Sequence, residues 1–173
     1  MDISRVWAMP NKFTFSIPPI YDIIRKYAKG IIIDPFAANN SIATHTNDID
    51  PNTKAQHHMD ALEFLRTFHE CSVDTVLYDP PYSPRQVAES YKKLKMSVNM
   101  QTTQASYWSR QKDVISNILR PDGIVISCGW NSNGIGLKRG FKILEILMVA
   151  HGGNHNDTIV VVEQKLNENK QLF

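Results

Sequence analysis

The run from Val73 to Leu77 leads directly into Tyr78-Asp79-Pro80-Pro81-Tyr82, and that junction constrains the chain more than any other segment. A largely apolar, β-branched run reads as a strand of a buried sheet, and two successive prolines end it, because proline fixes φ and removes a ladder donor. The motif therefore stands at the C-terminal end of a strand, where open α/β sheets place their chemistry. Asp79 can accept a hydrogen bond from an N–H, the Pro80 carbonyl can accept a second, and Tyr82 offers a face to a flat ring. These are the needs of an exocyclic amino group on a planar base. Asp-Pro-Pro is also an ordinary strand terminator, so the surrounding chain decides between the two readings.

That surrounding pattern alternates strand and helix. Pro18 and Pro19 precede Ile20, Ile23, Ile24 and Tyr27, a helical stripe with proline in the tolerant first turn, and Gly30 stops it. Ile31-Ile32-Ile33 is a continuous β-branched run, as in a strand buried on both faces, and Asp34-Pro35-Phe36 closes it. A short strand is predicted at Ala43 to Asn47, a helix at Ala61 to Phe68, and the strand already described follows. Helices are predicted over Arg85 to Leu94 and Ala105 to Leu119, the second ended by Arg120-Pro121-Asp122-Gly123. Strands then recur at Ile124 to Ile126, Phe141 to Ala150 and Thr158 to Gln164, with Gly152-Gly153-Asn154 marking an antiparallel hairpin. This order implies an α/β fold, a doubly wound sheet closed by an antiparallel C-terminal hairpin.

The 173 residues are expected to form a single domain (1–173), large enough to bury a core without metal or disulfide staples. Only Cys71 and Cys128 occur, no apolar N-terminal signal stretch is evident, and no apolar run approaches the roughly 20 residues of a membrane span. A reducing cytoplasm is the expected home. The net charge of +2 argues neither for nor against nucleic acid, since a local basic patch matters more than the total.

Taken together, Asp34-Pro35-Phe36-Ala37 and Asp79-Pro80-Pro81-Tyr82 resemble the cofactor and catalytic motifs of class I S-adenosylmethionine-dependent methyltransferases that modify adenine N6 or cytosine N4 in DNA. The likeness covers nearly the whole chain, and the order of segments resembles the gamma-type arrangement of compact adenine-specific enzymes of phages and mobile elements. It implies a Rossmann-like sheet, S-adenosylmethionine as cofactor, and a flipped adenine of DNA as substrate. Asp79, Pro80, Pro81 and Tyr82 would be catalytic. Ile17 and Pro18 are similar to a segment that touches the methionine end of the cofactor in that family. With them the implied cofactor set is Asp34, Pro35, Phe36, Ala37, Asn39, Asp48, Asp60 and Ala61. Asp48 would accept from the ribose hydroxyls, with Asp50 as its competitor. Asp60 would accept from the cofactor's adenine amino group, although Asp60-Ala61-Leu62-Glu63 also satisfies a helix capping box.

The chain departs from that family in two places. Closely spaced glycines normally continue the cofactor motif; here Ala37-Ala38-Asn39-Asn40 stands instead, and asparagine is the residue expected to take the left-handed backbone. The intervals Asp34 to Asp48 and Asp48 to Asp60 are also too short for a strand, two loops and a helix of about 11 residues. Two crossover helices are therefore expected to be missing, leaving one sheet face partly uncovered for a second copy of the chain to close.

Arg85, Lys92, Lys93, Lys95, Arg110 and Lys112, interleaved with Tyr91, Tyr107 and Trp108, form the expected nucleic-acid grip. Solvated helix faces and a core tryptophan account for the same residues equally well. The loop Trp130 to Gly140 is glycine-rich enough for a lid over the substrate, though a plain connection is the commoner case. Six histidines, including His57-His58 and His151 with His155, lack the partner spacing of a metal site, and no metal is expected. Two alternatives stay open: an RNA amino-methyltransferase acting on guanine N2 or adenine N6, and a non-catalytic nucleic-acid-binding or assembly module with a degenerate cofactor site.

Overall fold

The computed structural model describes residues 1–81, 105–153 and 155–167. Among these, seven strands form one sheet in the order β1-β6-β7-β5-β4-β2-β3. They are β1 (Asp2–Trp7), β2 (Ile32–Asp34), β3 (His45–Thr46), β4 (Val73–Tyr78), β5 (Leu119–Gly129), β6 (Phe141–Ala150) and β7 (Thr158–Lys165). Three helices accompany them: α1 (Pro18–Tyr27), α2 (Ala61–Arg66) and α3 (Ala105–Ile118). The predicted helix at Arg85 to Leu94 lies outside the described residues.

β2, β3, β4 and β5 run parallel to one another. β7 lies antiparallel between β5 and β6, which is the expected C-terminal hairpin. Parallel strands carry their C-terminal ends to the same edge of the sheet, so Asp34-Pro35 after β2, Asp79-Pro80 after β4 and Trp130 after β5 emerge side by side. That shared edge is what the topology contributes to the site.

Strand side chains alternate faces, so runs that read as uniformly apolar divide between two cores. On one side Ile17, Ile20, Ile23 and Ile24 of the α1 region pack on Leu77, Ile124, Ile126, Cys128, Val160 and Val162. On the other, Phe64 and Leu65 of α2 and Ile115 and Ile118 of α3 pack on Ile33, Val76, Tyr78 and Val125. Pro18 and Pro19 open α1 without losing a hydrogen bond, and Arg25 and Lys26 sit in its last turn, where a cation favours the helix dipole. Lys26 and the Tyr27 hydroxyl both meet Glu145 Oε2 of β6 at 2.7 Å, which ties the end of α1 to the sheet.

The missing crossover helices are a real feature of the fold. Residues 35–44 link β2 to β3, and residues 47–60 link β3 to α2, with no α-helix in either span. The third parallel strand of the usual pattern is reduced to an isolated parallel bridge between Asn47 and His57.

Three expectations need correction. The N-terminal segment, for which no strand is predicted, is one: β1 pairs in parallel with β6 from Asp2↔Glu145 to Trp7↔Ala150. Its six residues are all exposed, so the burial pattern that betrays a strand was absent. β5 is not limited to Ile124 to Ile126, because Arg120 to Gly123 belongs to it as a bulge. Val73 faces Leu119 and Thr75 faces Ile124, and the extra residues are absorbed by a turn in which Asp122 has φ 62°. Among the described residues, finally, most exposed large apolar side chains lie away from the helix-free links, Tyr21 being the one that borders them. Phe36, Ile42, Ala43 and Met59 fold back onto the cores there, while Met1, Ile3, Val6, Trp7 and Met9 are exposed on and around β1.

Candidate active site

Asp34 ends β2 in a fully buried position, and its Oδ1 accepts from Phe36 N at 2.9 Å. Its Oδ2 is buried with no hydrogen-bond partner. Burial pushes the carboxyl well above its ordinary value of 3.8, and the nearby carboxylates of Asp79 and Asp48 push in the same direction. The field of Asp79 and Asp34 also reaches Cys128, whose thiol burial already drives upward. Asp34, Asp79 and Cys128, from three adjacent strands, therefore share one small region at the C-terminal edge of the sheet.

Asn47 organises the loops around Asp34. It is completely buried, its Nδ2 donates to Pro35 O at 3.1 Å and Met59 O at 3.0 Å, and its Oδ1 accepts from Met59 N at 3.1 Å. Its backbone N–H donates to Asp34 O at 2.9 Å, and its carbonyl accepts from Ala37 N at 2.8 Å. Five hydrogen bonds from one residue thus hold Asp34, Pro35, Ala37 and Met59 in place. Sequence reasoning passed over Asn47; its one signal was a short polar amide at the end of a predicted strand.

The left-handed residue of the glycine-poor loop is Ala38, with φ 48°, and not an asparagine. The asparagines serve through their side chains instead: Asn39 Oδ1 accepts from Lys54 N at 2.9 Å and Asn40 Oδ1 from Ile42 N at 3.0 Å. Ala38 N donates to Asp48 Oδ2 at 3.0 Å, a contact that helps to hold the strained residue. Asp48 Oδ1 accepts from Asp50 N at 2.8 Å, and burial raises the Asp48 carboxyl above its usual range. Asp50 closes its own turn through Asn52, and those hydrogen bonds lower its carboxyl. Of the two competitors, Asp48 is the one joined to the loop after β2.

Asp60 is the N-cap of α2, its Oδ1 accepting from Leu62 N at 2.8 Å, so the capping half of its expected double role is present. Ala61 is buried in the first turn behind it. Ile17 is buried, and Pro18 begins α1. A cavity of about 390 Å³ opens between this N-terminal segment and the loop after β2, lined by Phe13, Ser16, Tyr21 and Asn39 to Ile42.

At the end of β4, Asp79 is half-buried and Pro80 buried. Trp108 Nε1 donates to Pro81 O at 3.2 Å, and the Tyr78 hydroxyl donates to Gln111 Oε1 at 2.7 Å. Tyr82, Arg85, Tyr91, Lys92, Lys93 and Lys95 lie outside the described residues, as does the side chain of Tyr107. Arg110 is exposed on α3. Lys112 is half-buried, its ammonium donates to Gly134 O, and burial lowers its pKa.

The loop Trp130 to Gly140 is anchored along its second half. The buried Glu163 accepts from Ile135 N at 2.6 Å and Gly136 N at 2.9 Å, and Arg139 reaches Asp113 at 2.6 Å and Ser109 Oγ at 2.8 Å. Gly134, with φ 51°, passes so close to Glu163 that a Cβ there would lie 2.3 Å from its Oε2. The glycines therefore serve close approach and turning more than mobility. His151 is buried between Ala8 O and Thr158 Oγ1, each 2.9 Å from a ring nitrogen. Among the described residues, no group of three His, Cys, Asp or Glu side chains is placed to hold a metal ion. Nor is any helix there long and apolar enough to cross a membrane.

No protein-family model matches the chain, and no curated protein matches it by sequence. Solved structures do. A SAM-dependent methyltransferase from Methanosarcina mazei superposes with TM-score 0.56 at 14% identity, over 86% of this chain and 99% of that one. The 1,6-didemethyltoxoflavin-N1-methyltransferase of Burkholderia thailandensis, which holds S-adenosylhomocysteine, gives 0.55 at 11% identity, over 87% and 77%. TrmN from Thermus thermophilus gives 0.53 at 17% identity; 87% of this chain is covered but only 49% of TrmN. The shared feature is the fold: this sheet has the Rossmann-like arrangement of those methyltransferases.

Two substitutions test the site's construction. Asn47→Ala leaves three backbone groups, Pro35 O and the N–H and C=O of half-buried Met59, without this partner and is expected to cost about 2–3 kcal/mol in urea unfolding. Asp34→Asn should act the other way. The folded state holds the Asp34 proton more tightly than the unfolded chain, so its stabilising contribution is full at low pH and is lost as pH rises through the raised value. The variant is expected to match the wild type near about pH 4 and to exceed it by roughly 1–2 kcal/mol near about pH 8. Urea titrations at both pH values measure it; a variant less stable at the higher pH contradicts the assignment.

Proposed function

We propose that this chain transfers a methyl group from S-adenosylmethionine to the exocyclic N6 amino group of adenine in DNA. The observation that carries the reading is the pairing of two strand ends. A buried carboxylate with an unpartnered oxygen, Asp34, stands at the end of β2, and Asp79-Pro80 stands at the end of β4 beside it. Asp34 Oδ2 lacks a donor, and the α-ammonium of the cofactor is a cationic one that would fit it. Asp48, Asp60 and the segment Ile17-Pro18 complete the proposed cofactor set, with Pro35, Phe36, Ala37, Asn39 and Ala61 shaping its walls.

When bound, S-adenosylmethionine supplies an electrophilic sulfonium methyl group. The target amino nitrogen is conjugated into its ring and is a poor nucleophile while planar. Asp79 and the Pro80 carbonyl accept its two hydrogens and favour the pyramidal form, whose lone pair attacks in line. Held beside that lone pair, the cofactor would supply its methyl carbon as the sulfur–carbon bond breaks, leaving S-adenosylhomocysteine, and the methylated nitrogen would pass its extra proton to Asp79 or to solvent. Positioning and electrostatics account for most of the acceleration. A duplex hides this nitrogen, so the base is flipped into the pocket, with Tyr82 stacking on it. Arg85, Lys92, Lys93, Lys95 and Arg110 are the proposed phosphate contacts. Lys112, held on Gly134 O, supports the loop after β5 instead.

Incubation with radiolabelled S-adenosylmethionine and unmethylated bacterial DNA, followed by mass spectrometry of the nucleosides, tests the reaction. N6-methyladenine should form, and Asp79→Ala should lower the rate by about 10² or more. Label in RNA alone would replace the substrate, and absence of cofactor binding in calorimetry would replace the enzyme with a binding module. The second copy expected over the helix-free face is proposed instead at the β1 edge, where Ile3 and Trp7 are each 63% exposed. Sedimentation velocity at micromolar concentration should find a dimer; a monomer removes that part.

A further inference from the structure

We infer that α3 is a clamp that fixes the position of the Asp79-Pro80 pair, with Trp108 and Gln111 as its positioning residues; the inference rests on the methyl-transfer reading above. Pro80 and Pro81 have no N–H, so past Asp79 this segment offers only carbonyls for a neighbour to hold. Whatever holds it must grip carbonyls and side chains. The Trp108 indole N–H grips Pro81 O at 3.2 Å, just beyond the pair, and Gln111 Oε1 receives the Tyr78 hydroxyl at 2.7 Å, just before it.

Residues 108 and 111 are three apart on one helix and so share a face. A single rigid surface therefore holds both flanks of Asp79-Pro80. The base of that surface is secured farther along α3, where Ile115 and Ile118 are buried against the sheet. Gln111 is fully buried, yet its Nε2 has no partner. An unsatisfied buried amide costs stability that an apolar side chain would avoid, so packing alone does not explain glutamine there. Holding the Tyr78 hydroxyl does. Burial keeps that phenol far above its ordinary pKa, so it remains a donor across the neutral range.

The clamp matters because the two acceptors, the Asp79 carboxylate and the Pro80 carbonyl, must meet two hydrogens of one nitrogen at once. Small displacements of such a pair reduce turnover more than binding. Saturation kinetics on unmethylated DNA with labelled S-adenosylmethionine should separate the two for Trp108→Phe, Tyr78→Phe and the double variant, with melting followed alongside. Each single change is expected to lower kcat about tenfold with KM for cofactor and DNA within about twofold, and to lower melting by only about 2–8 °C, because each leaves a polar partner unpaired in a chain that still folds. The double variant should lose little more than the weaker single one, because both act through one strand end. A kcat within about twofold of wild type, or a rise in KM instead, overturns the clamp.

A second measurement on the unaltered chain is independent of catalysis. In proton-exchange NMR the indole N–H of Trp108 should exchange slowly and that of Trp7, 63% exposed, rapidly. Equal rates overturn the clamp whatever the activity. Slow exchange in a protein that methylates neither DNA nor RNA defeats the methyl-transfer reading and leaves the grip on Pro81 standing.

Discussion

Every buried backbone N–H and C=O needs a partner, and a helix supplies such partners automatically. This chain omits the helices that normally join the first parallel strands, so that obligation falls on side chains. Asn47 meets most of it, joining the links on either side of β3 through Pro35, Ala37 and Met59. Gln56 and Thr46 add a reciprocal pair, with Thr46 N bonded to Gln56 Oε1 and Gln56 N to Thr46 Oγ1. The compactness of the fold follows: ten residues link β2 to β3 because specific amides have replaced helical turns.

The same substitution of side chain for helix explains what the sequence made legible. Val73 to Tyr78 and Ile31 to Ile33 announced themselves because buried strands read as largely apolar, β-branched runs. α1 was readable from its isoleucine stripe and its prolines. β1 was not, since an edge strand exposed along its whole length carries no burial pattern. The bulge in β5 was hidden by Pro121, Asp122 and Gly123, residues that describe a turn equally well whether the turn interrupts a strand or ends a helix.

In the site, the acidic residues of both motifs could be named in advance, because each motif is contiguous. Their supports could not. Whether Ala38 or an asparagine takes positive φ depends on where Asp48 Oδ2 and Lys54 N arrive, and both are distant in sequence from the loop's own choices. Lys112 looked like a phosphate contact because charge is visible in a sequence and burial is not. Its proximity to Gly134 and Glu163 arises only once β7 has crossed beneath α3.

The lone oxygen of Asp34 also has a consequence for the lifetime of the protein. A buried acceptor without a donor makes the empty form less stable than its packing alone would allow, and a cationic ligand that satisfies it shifts the folding equilibrium by mass action. In a cell, chains that find no such ligand would open more often and be cleared first. On the proposed reading, that oxygen would link how long a molecule survives to whether it has bound its cofactor.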